Sequence, residues 1–220
     1  MSEVRLGLTR AAPVALGMVP LGMAFGLLVV NLGLAWWWAP VFSAVVYAGS
    51  LEFLLATMVA AAVPLGQIII TTLVVNSRHV FYALSFPLHR VHPLARPYAT
   101  FALTDEAYAL TATPEANTWS SGRILALQAL LQCFWVGGAT AGALLGTALP
   151  LAAVSGLEFA LTALFVVLAL DAYRAAPSPL VVVTAIGSAV VAALLVPEQM
   201  LLVAYGTFAL LSLLGARRAA

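Results

Sequence analysis

The sequence is a train of apolar runs separated by short, proline-marked breaks, and this pattern restricts the chain to folds that live in lipid. The runs cover residues 13–33, 38–62, 65–86, 98–113, 122–149, 155–172, 178–196 and 198–214. Most approach the roughly 20 residues that an α-helix needs to cross a bilayer. Pro40, Pro64, Pro87, Pro93, Pro97, Pro114, Pro150, Pro177, Pro179 and Pro197 nearly all fall at run edges, where a missing N–H does least harm. Only 8% of the residues are charged, against about 25% in an ordinary soluble domain, and mean hydropathy is +1.08. So few charges cannot cover a water-exposed surface, whereas lipid tails solvate Leu, Val and Ala directly. The expected fold is an all-α integral membrane protein of about seven to eight hydrophobic segments, some broken or re-entrant. No stretch of the 220 residues is left over for a soluble domain, so residues 1–220 read as a single transmembrane transporter domain.

Several classes are set aside. The basic residues are nine Arg and no Lys, scattered without a patch, which excludes a nucleic-acid surface. Cys133 is the one cysteine, so no disulfide framework exists within the chain, and it reads as a small buried or lipid-facing residue. His79, His89 and His92 have no metal-ligand spacing with carboxylates. No nucleophile triad, phosphate loop or HExxH pattern appears, so neither an enzyme, a metal nor a cofactor is expected. The N-terminal arm carries Arg5 and Arg10, and the apolar run behind it reads as a retained first helix rather than a cleaved leader.

Positive residues should stay on the cytoplasmic side. Arg5 and Arg10, the loop 87–97 with Arg90 and Arg96, Arg123, Arg174 and the C-terminal Arg217 and Arg218 all favour that side. Holding the N-terminal arm and loop 87–97 on one side requires an irregular element between residues 33 and 66. Segment 98–113, the least apolar, must then enter and leave on one side, lie in the interface, or be broken. Trp36, Trp37 and Trp38 suit the headgroup region. An internal echo also exists. Ser50-Leu51-Glu52-Phe53 recurs as Gly156-Leu157-Glu158-Phe159, and Gly22-xxx-Gly26 and Gly138-xxx-Gly142-xxx-Gly146 precede the two copies, as a two-fold internal repeat would produce.

The informative residues are those that lipid should exclude. An ionisable side chain at mid-bilayer costs roughly 2.5–3.5 kcal/mol on insertion scales. Tyr47, Gly49, Ser50 and Glu52 interrupt the second run. They read either as a broken helix whose free N–H groups face a carboxylate, with Glu52 as cation or proton site, or as an unbroken helix with Glu52 neutral or paired. Asn76, Arg78, His79 and Tyr82 end the third run, with Arg78 and Tyr82 on one helix face and Asn76 and His79 on another. They form either an unwound polar site or a helix end with Arg78 snorkelling. Thr104-Asp105-Glu106, with Tyr108 and Thr111, is the third cluster. One acid can pair with Arg78 while the other protonates, or the cluster is a solvated helix face. Asp171 reads as a surface partner of Arg174, and Glu158 is open between the two kinds of role.

In order, PLGMAFG, GLAWWWAP, SAVVYAGSLEF, TTLVVNSRHVFYALS and TDEAYAL, with the later GLEFALTALFVVL, resemble the AzlC family, the large subunits of two-component branched-chain amino acid exporters. The resemblance covers roughly residues 13–200. It implies a multi-pass carrier in the bacterial inner membrane, working with a small hydrophobic AzlD-type subunit. It also implies efflux of valine, leucine, isoleucine or methionine driven by the proton gradient. The motif positions carried over are Asn76, Arg78, His79, Tyr82, Thr104, Asp105 and Glu106. Many relatives are expected to hold Gln where this chain has Glu52, a departure that bears on the substrate. On this reading Tyr47, Gly49, Ser50, Glu52, Asn76, Arg78 and Tyr82 bind substrate, and Glu52, His79, Asp105 and Glu106 couple protons. The rival readings are a channel or carrier for another small solute and a structural subunit of a membrane complex; homo-oligomerisation is compatible with all of them.

Overall fold

A computed structural model of the chain describes residues 2–148, 166, 169–170, 173–174, 177–196, 200, 203–204, 206–208 and 210–212. Every regular element among them is helical: α1 (Glu3–Asn31), α2 (Trp38–Val45), α3 (Gly49–Ala60), α4 (Leu65–Asn76), α5 (Arg78–Ser85), α6 (Arg96–Phe101), α7 (Asp105–Thr111), α8 (Ser121–Ala148) and α9 (Pro179–Leu195), with short 3-10 turns at Leu88–Arg90, Pro93–Ala95 and Pro114–Thr118. Glu3–Asn31, Leu65–Ser85 and Ser121–Ala148 are long and apolar enough to cross a membrane. The protein is an all-α membrane protein, as its apolar runs predict. The second copy of the echo, with Glu158 and Asp171, and the C-terminal Arg217 and Arg218 lie outside the described residues. The chain forms two compact units, Met1–Val63 with Asn76–Leu161, and Pro64–Val75 with Thr162–Ala220.

The first unit is organised on α1 and α8. Gly7, Ala11, Ala15, Met18, Gly22, Phe25, Gly26 and Val29 form the buried seam of α1, recurring at the three- and four-residue steps that keep one helix face turned to a partner. Side chains are small along it, so the backbones approach closely. A Cβ on Gly22 would lie 2.8 Å from the Trp135 carbonyl, and one on Gly138 would lie 2.8 Å from that of Val19. A Cβ on Gly26 would collide with the Ala139 carbonyl, and one on Gly142 with that of Met23. In lipid no hydrophobic force drives helices together, so close packing of small residues does that work. Gly7 meets Arg123, Gly22 meets Gly138 and Met23 meets Gly142, so the two helices run parallel. The two glycine patterns picked out in the sequence are therefore each other's partners. Pro13 and Pro20 lie within α1, which lipid-embedded helices tolerate when neighbours satisfy the freed groups.

The predicted runs 38–62 and 98–113 are both broken. Phe42 of α2 and Phe53 of α3 both pack on Phe25, with ring centroids 6.4 and 5.3 Å away. Ser43 also bonds Glu52, so α2 and α3 fold back on each other as a hairpin. Its tip is Tyr47–Ala48, where Tyr47 adopts φ 46°, a left-handed conformation unfavourable for a residue with a Cβ. This is the irregular element that the charge pattern requires between residues 33 and 66. The hairpin descends from the C-terminal end of α1. At the opposite end of α1 and α8, the Arg10 and Arg123 guanidiniums lie 5.0 and 4.1 Å from the centre of the Trp119 ring. There Arg90 Nε donates to the Trp119 carbonyl at 3.1 Å, and the His92 N–H to Ser121 Oγ at 3.0 Å. From this end α6 rises, the chain breaks at Ala102–Thr104, and α7 returns. The tips meet, with the Tyr47 and Phe101 rings 5.9 Å apart.

In the second unit, α9 starts with Ser178 as N-cap, its side chain accepting from the Val181 N–H. Beside its first turn lies an apolar cavity of about 480 Å³ lined by Val166, Leu170, Tyr173, Pro179 and Val182 among others.

Candidate functional site

The polar residues singled out in the sequence converge where the hairpin tips meet. The break at Tyr47–Ala48 starts α3 afresh at Gly49, and Gly49 lies under the Trp135 indole, where an added Cβ would sit 3.5 Å from the ring. A new helix start leaves first-turn N–H groups and a positive dipole end inside the membrane. Part of that need is met internally, because the Ala48 N–H donates to Glu52 Oε1 at 2.9 Å. Glu52 is fully buried. Ser43 Oγ donates to its Oε2 at 3.0 Å, and Trp135 Nε1 donates to both of its oxygens at 3.0 and 3.1 Å. Tyr47 is also buried, and its hydroxyl has no partner among the described residues.

The second part of the site is an ion pair. α4 and α5 are separated at Ser77, and Arg78 opens α5. Arg78 Nη2 lies 2.9 Å from Asp105 Oδ2 and donates to Ser50 Oγ at 3.0 Å. The Tyr82 hydroxyl donates to Asp105 Oδ1 at 2.8 Å. Tyr82 stacks on Tyr108 at 4.2 Å, and His79 meets Tyr82 edge-on at 5.3 Å. The shared face of Arg78 and Tyr82 is thus the face that meets Asp105. His79 Nδ1 lies 3.1 Å from the Asn76 carbonyl, one helical turn back. Arg78 and Asp105 keep 38% and 34% of their side chains exposed, so the pair is half open rather than sealed. Arg78 Nε and Asn76 Oδ1 are buried without partners among the described residues. The Thr-Asp-Glu motif also has a local reason, since Thr104 is the N-cap of α7 and accepts from the Ala107 N–H at 3.4 Å. Acids in a first helical turn face the positive end of the dipole. Glu106 is half-buried, and the ion pair of Arg78 is with Asp105.

Three residues outside the sequence-based set hold this arrangement. On α8, Gln128, Gln132 and Trp135 fall at i, i+4 and i+7 on one face. Gln128 Nε2 donates to the carbonyls of Ala99 and Ala102 at 2.8 and 3.0 Å, satisfying the end of α6. Gln132 Nε2 donates to the Ala44 carbonyl at 3.3 Å at the end of α2, and its Oε1 accepts from the Tyr98 hydroxyl at 2.9 Å. The ends of half-helices inside lipid leave carbonyls unpaired, and amides on the spanning helix supply the donors. The available signal was two Gln four residues apart inside an apolar run. Cys133, next to Gln132 in the chain, is exposed.

The fold is that of an all-helical membrane protein in which two broken hairpins meet at a cluster of polar side chains. A family model described as AzlC protein matches residues 13–149, and the chain belongs to the AzlC family. It is 33% identical over 164 residues to an uncharacterized membrane protein of Helicobacter pylori, covering 73% of this chain and 72% of that one. The branched-chain amino acid transport protein AzlC of Bacillus subtilis is 30% identical over 72% of this chain and 63% of its own. The inner membrane protein YgaZ of Escherichia coli is 29% identical over 83% of this chain and 78% of its own. No solved structure matches.

Proposed function

We propose that the chain is the large permease subunit of a secondary transporter that exports branched-chain amino acids (valine, leucine and isoleucine, with methionine as a further candidate) from the bacterial cytoplasm across the inner membrane. The observation that carries this reading is the junction of Arg78, Ser50 and Asp105 at the meeting of the two hairpins. The start of α3 and the Arg78 guanidinium both favour an anion at one place. Asp105, held by Arg78 and Tyr82, is an acid beside it that can receive a cation. An amino acid zwitterion presents those two charges together. Its carboxylate would bind Arg78 and the N–H groups at Gly49–Ser50, its ammonium would meet Asp105 or Glu52, and the unpartnered groups of Tyr47 and Asn76 would complete the polar shell. Its aliphatic side chain would lie among the apolar residues around the tips. The name of the Bacillus subtilis relative supports the substrate class.

In this reading Glu52, His79, Asp105 and Glu106 are the proton-coupling groups, residues 1–220 act as one transport domain, and a small hydrophobic AzlD-type subunit completes the carrier. Alternating access follows from movement of the broken elements about the bound substrate. The test is flux of labelled valine from proteoliposomes holding both subunits, with and without a pH gradient. Saturable efflux accelerated by the gradient, and lost in Asp105→Asn, is expected. Non-saturating ion currents would instead mark a channel, and transport by the small subunit alone would mark this chain as structural.

A further inference from the structure

Resting on the reading of the hairpin junction as the transport site, we infer that Gln132 is the clasp that joins the two hairpins, and that its two hydrogen bonds open and close as access to the site alternates. Gln132 is bonded to both hairpins, to the α2 end at Ala44 and to α6 at Tyr98. Its neighbours on the same face are bonded to one hairpin each. Gln128 holds α6 through Ala99 and Ala102, and Trp135 holds the first hairpin through Glu52. The bonds of the neighbours are buried, while the Gln132–Ala44 bond is exposed and, at 3.3 Å, the longest of the set. A bond of this kind is the one that parts first when two packed elements separate. The flanking bonds carry each hairpin as a unit, since Gln128 satisfies the open end of α6 and Trp135 is locked to a fully buried carboxylate. Gln132 is therefore a positioning residue. Together with the Arg78 bridge between Ser50 and Asp105, it holds the tips at Tyr47 and Phe101 together.

The chemistry allows the clasp to be altered without changing its size. Gln132→Leu keeps the volume and removes both bonds. Gln132→Glu keeps the acceptor for Tyr98 and donates to the Ala44 carbonyl only when protonated. Tyr98→Phe frees the α6 side alone. Each is made in a Cys133→Ala background with a reporter cysteine at Ala48, and thiol-reagent labelling of the reporter is followed from each side of the membrane. Gln132→Leu should raise labelling about tenfold, which corresponds to about 1.4 kcal/mol for its two hydrogen bonds together, at about 0.7 kcal/mol each. Gln132→Glu should label like Gln132→Leu at high pH and like the parent at low pH. Tyr98→Phe should fall between. A second measurement tests opening itself. Cysteines at Ala44 and Gln132, joined by a short bis-thiosulfonate reagent, should abolish valine efflux, and reduction should restore it. Parent-like labelling of Gln132→Leu at unchanged thermal stability would overturn the clasp, as would full transport by the cross-linked protein. Labelling does not depend on the substrate, so altered labelling without valine flux would sink the substrate assignment and leave the clasp standing.

Discussion

A fully buried carboxylate ordinarily calls for a cation, yet Glu52 is held by a hydroxyl, a backbone N–H and an indole N–H. The geometry of these three contacts would also accommodate a Gln at this position. A Gln oxygen accepts from Ala48 and Trp135, while its amide donates to Ser43, whose hydroxyl can either donate or accept. Glu52→Gln should therefore stay within about 1 kcal/mol of the parent in thermal unfolding in detergent, whereas Glu52→Ala strands three donors and should cost about 3 kcal/mol. If Glu52 carries a coupling proton, the Gln variant folds but loses the dependence of efflux on the pH gradient. Equal gradient dependence in both would remove Glu52 from the coupling set. At Arg78, one nitrogen serves both Asp105 and Ser50. Arg78→Lys keeps the charge but not the planar fork, so valine efflux should fall by about tenfold or more. These chemical types were legible in the sequence because a charge in an apolar run is conspicuous. Their partners were not, since Ser43, Gln132 and Trp135 meet Glu52 and the tips only through folding.

At the scale of elements, α1 and α8 depend on glycine where backbones touch and not where they are apart. A Cβ at Gly142 would collide with the Met23 carbonyl, whereas Gly17 and Gly137 have nothing within 4 Å. Gly142→Val should prevent accumulation of folded protein or lower its stability by about 3 kcal/mol or more. Gly17→Ala and Gly137→Ala should be neutral or slightly stabilising, because Ala is the better helix former. Fluorescence size-exclusion profiles of the three variants would check this, and a normal Gly142→Val profile would contradict the crossing. The periodic small residues were visible in the sequence as two separate patterns. That they face each other was not, because spacing defines a face but does not name the surface it meets. The helix breaks had a partial signal in Gly49, Ser50 and the polar run at Thr104. The hairpin turn at Tyr47 had none, since a tyrosine at φ 46° runs against its own local preference.

At the largest scale, the described first unit has polarity. Arg10, Arg90 and Arg123 gather around Trp119 at one end of α1 and α8, the end that the positive-inside rule places in the cytoplasm. The first hairpin opens at the other end, so residues 33 and 62 should lie on the same side. In a Cys133→Ala background, Gly33→Cys and Ala62→Cys should both react with an impermeant thiol reagent from outside, and Asn117→Cys only from inside. Labelling of residues 33 and 62 from opposite sides would replace the hairpin with a full span.

Composition and run length alone determined that this chain lives in a bilayer, because the cost of burying charge in lipid leaves few alternatives for so apolar a sequence. They also marked the residues that had to earn their place there. Only the tertiary structure decided what those residues do to one another: which acid pairs with Arg78, which helix ends Gln128 and Gln132 satisfy, and which of the apolar runs turn back instead of crossing. A run's hydropathy is a sum over its residues, whereas a break is set by hydrogen-bond partners contributed from elsewhere in the chain.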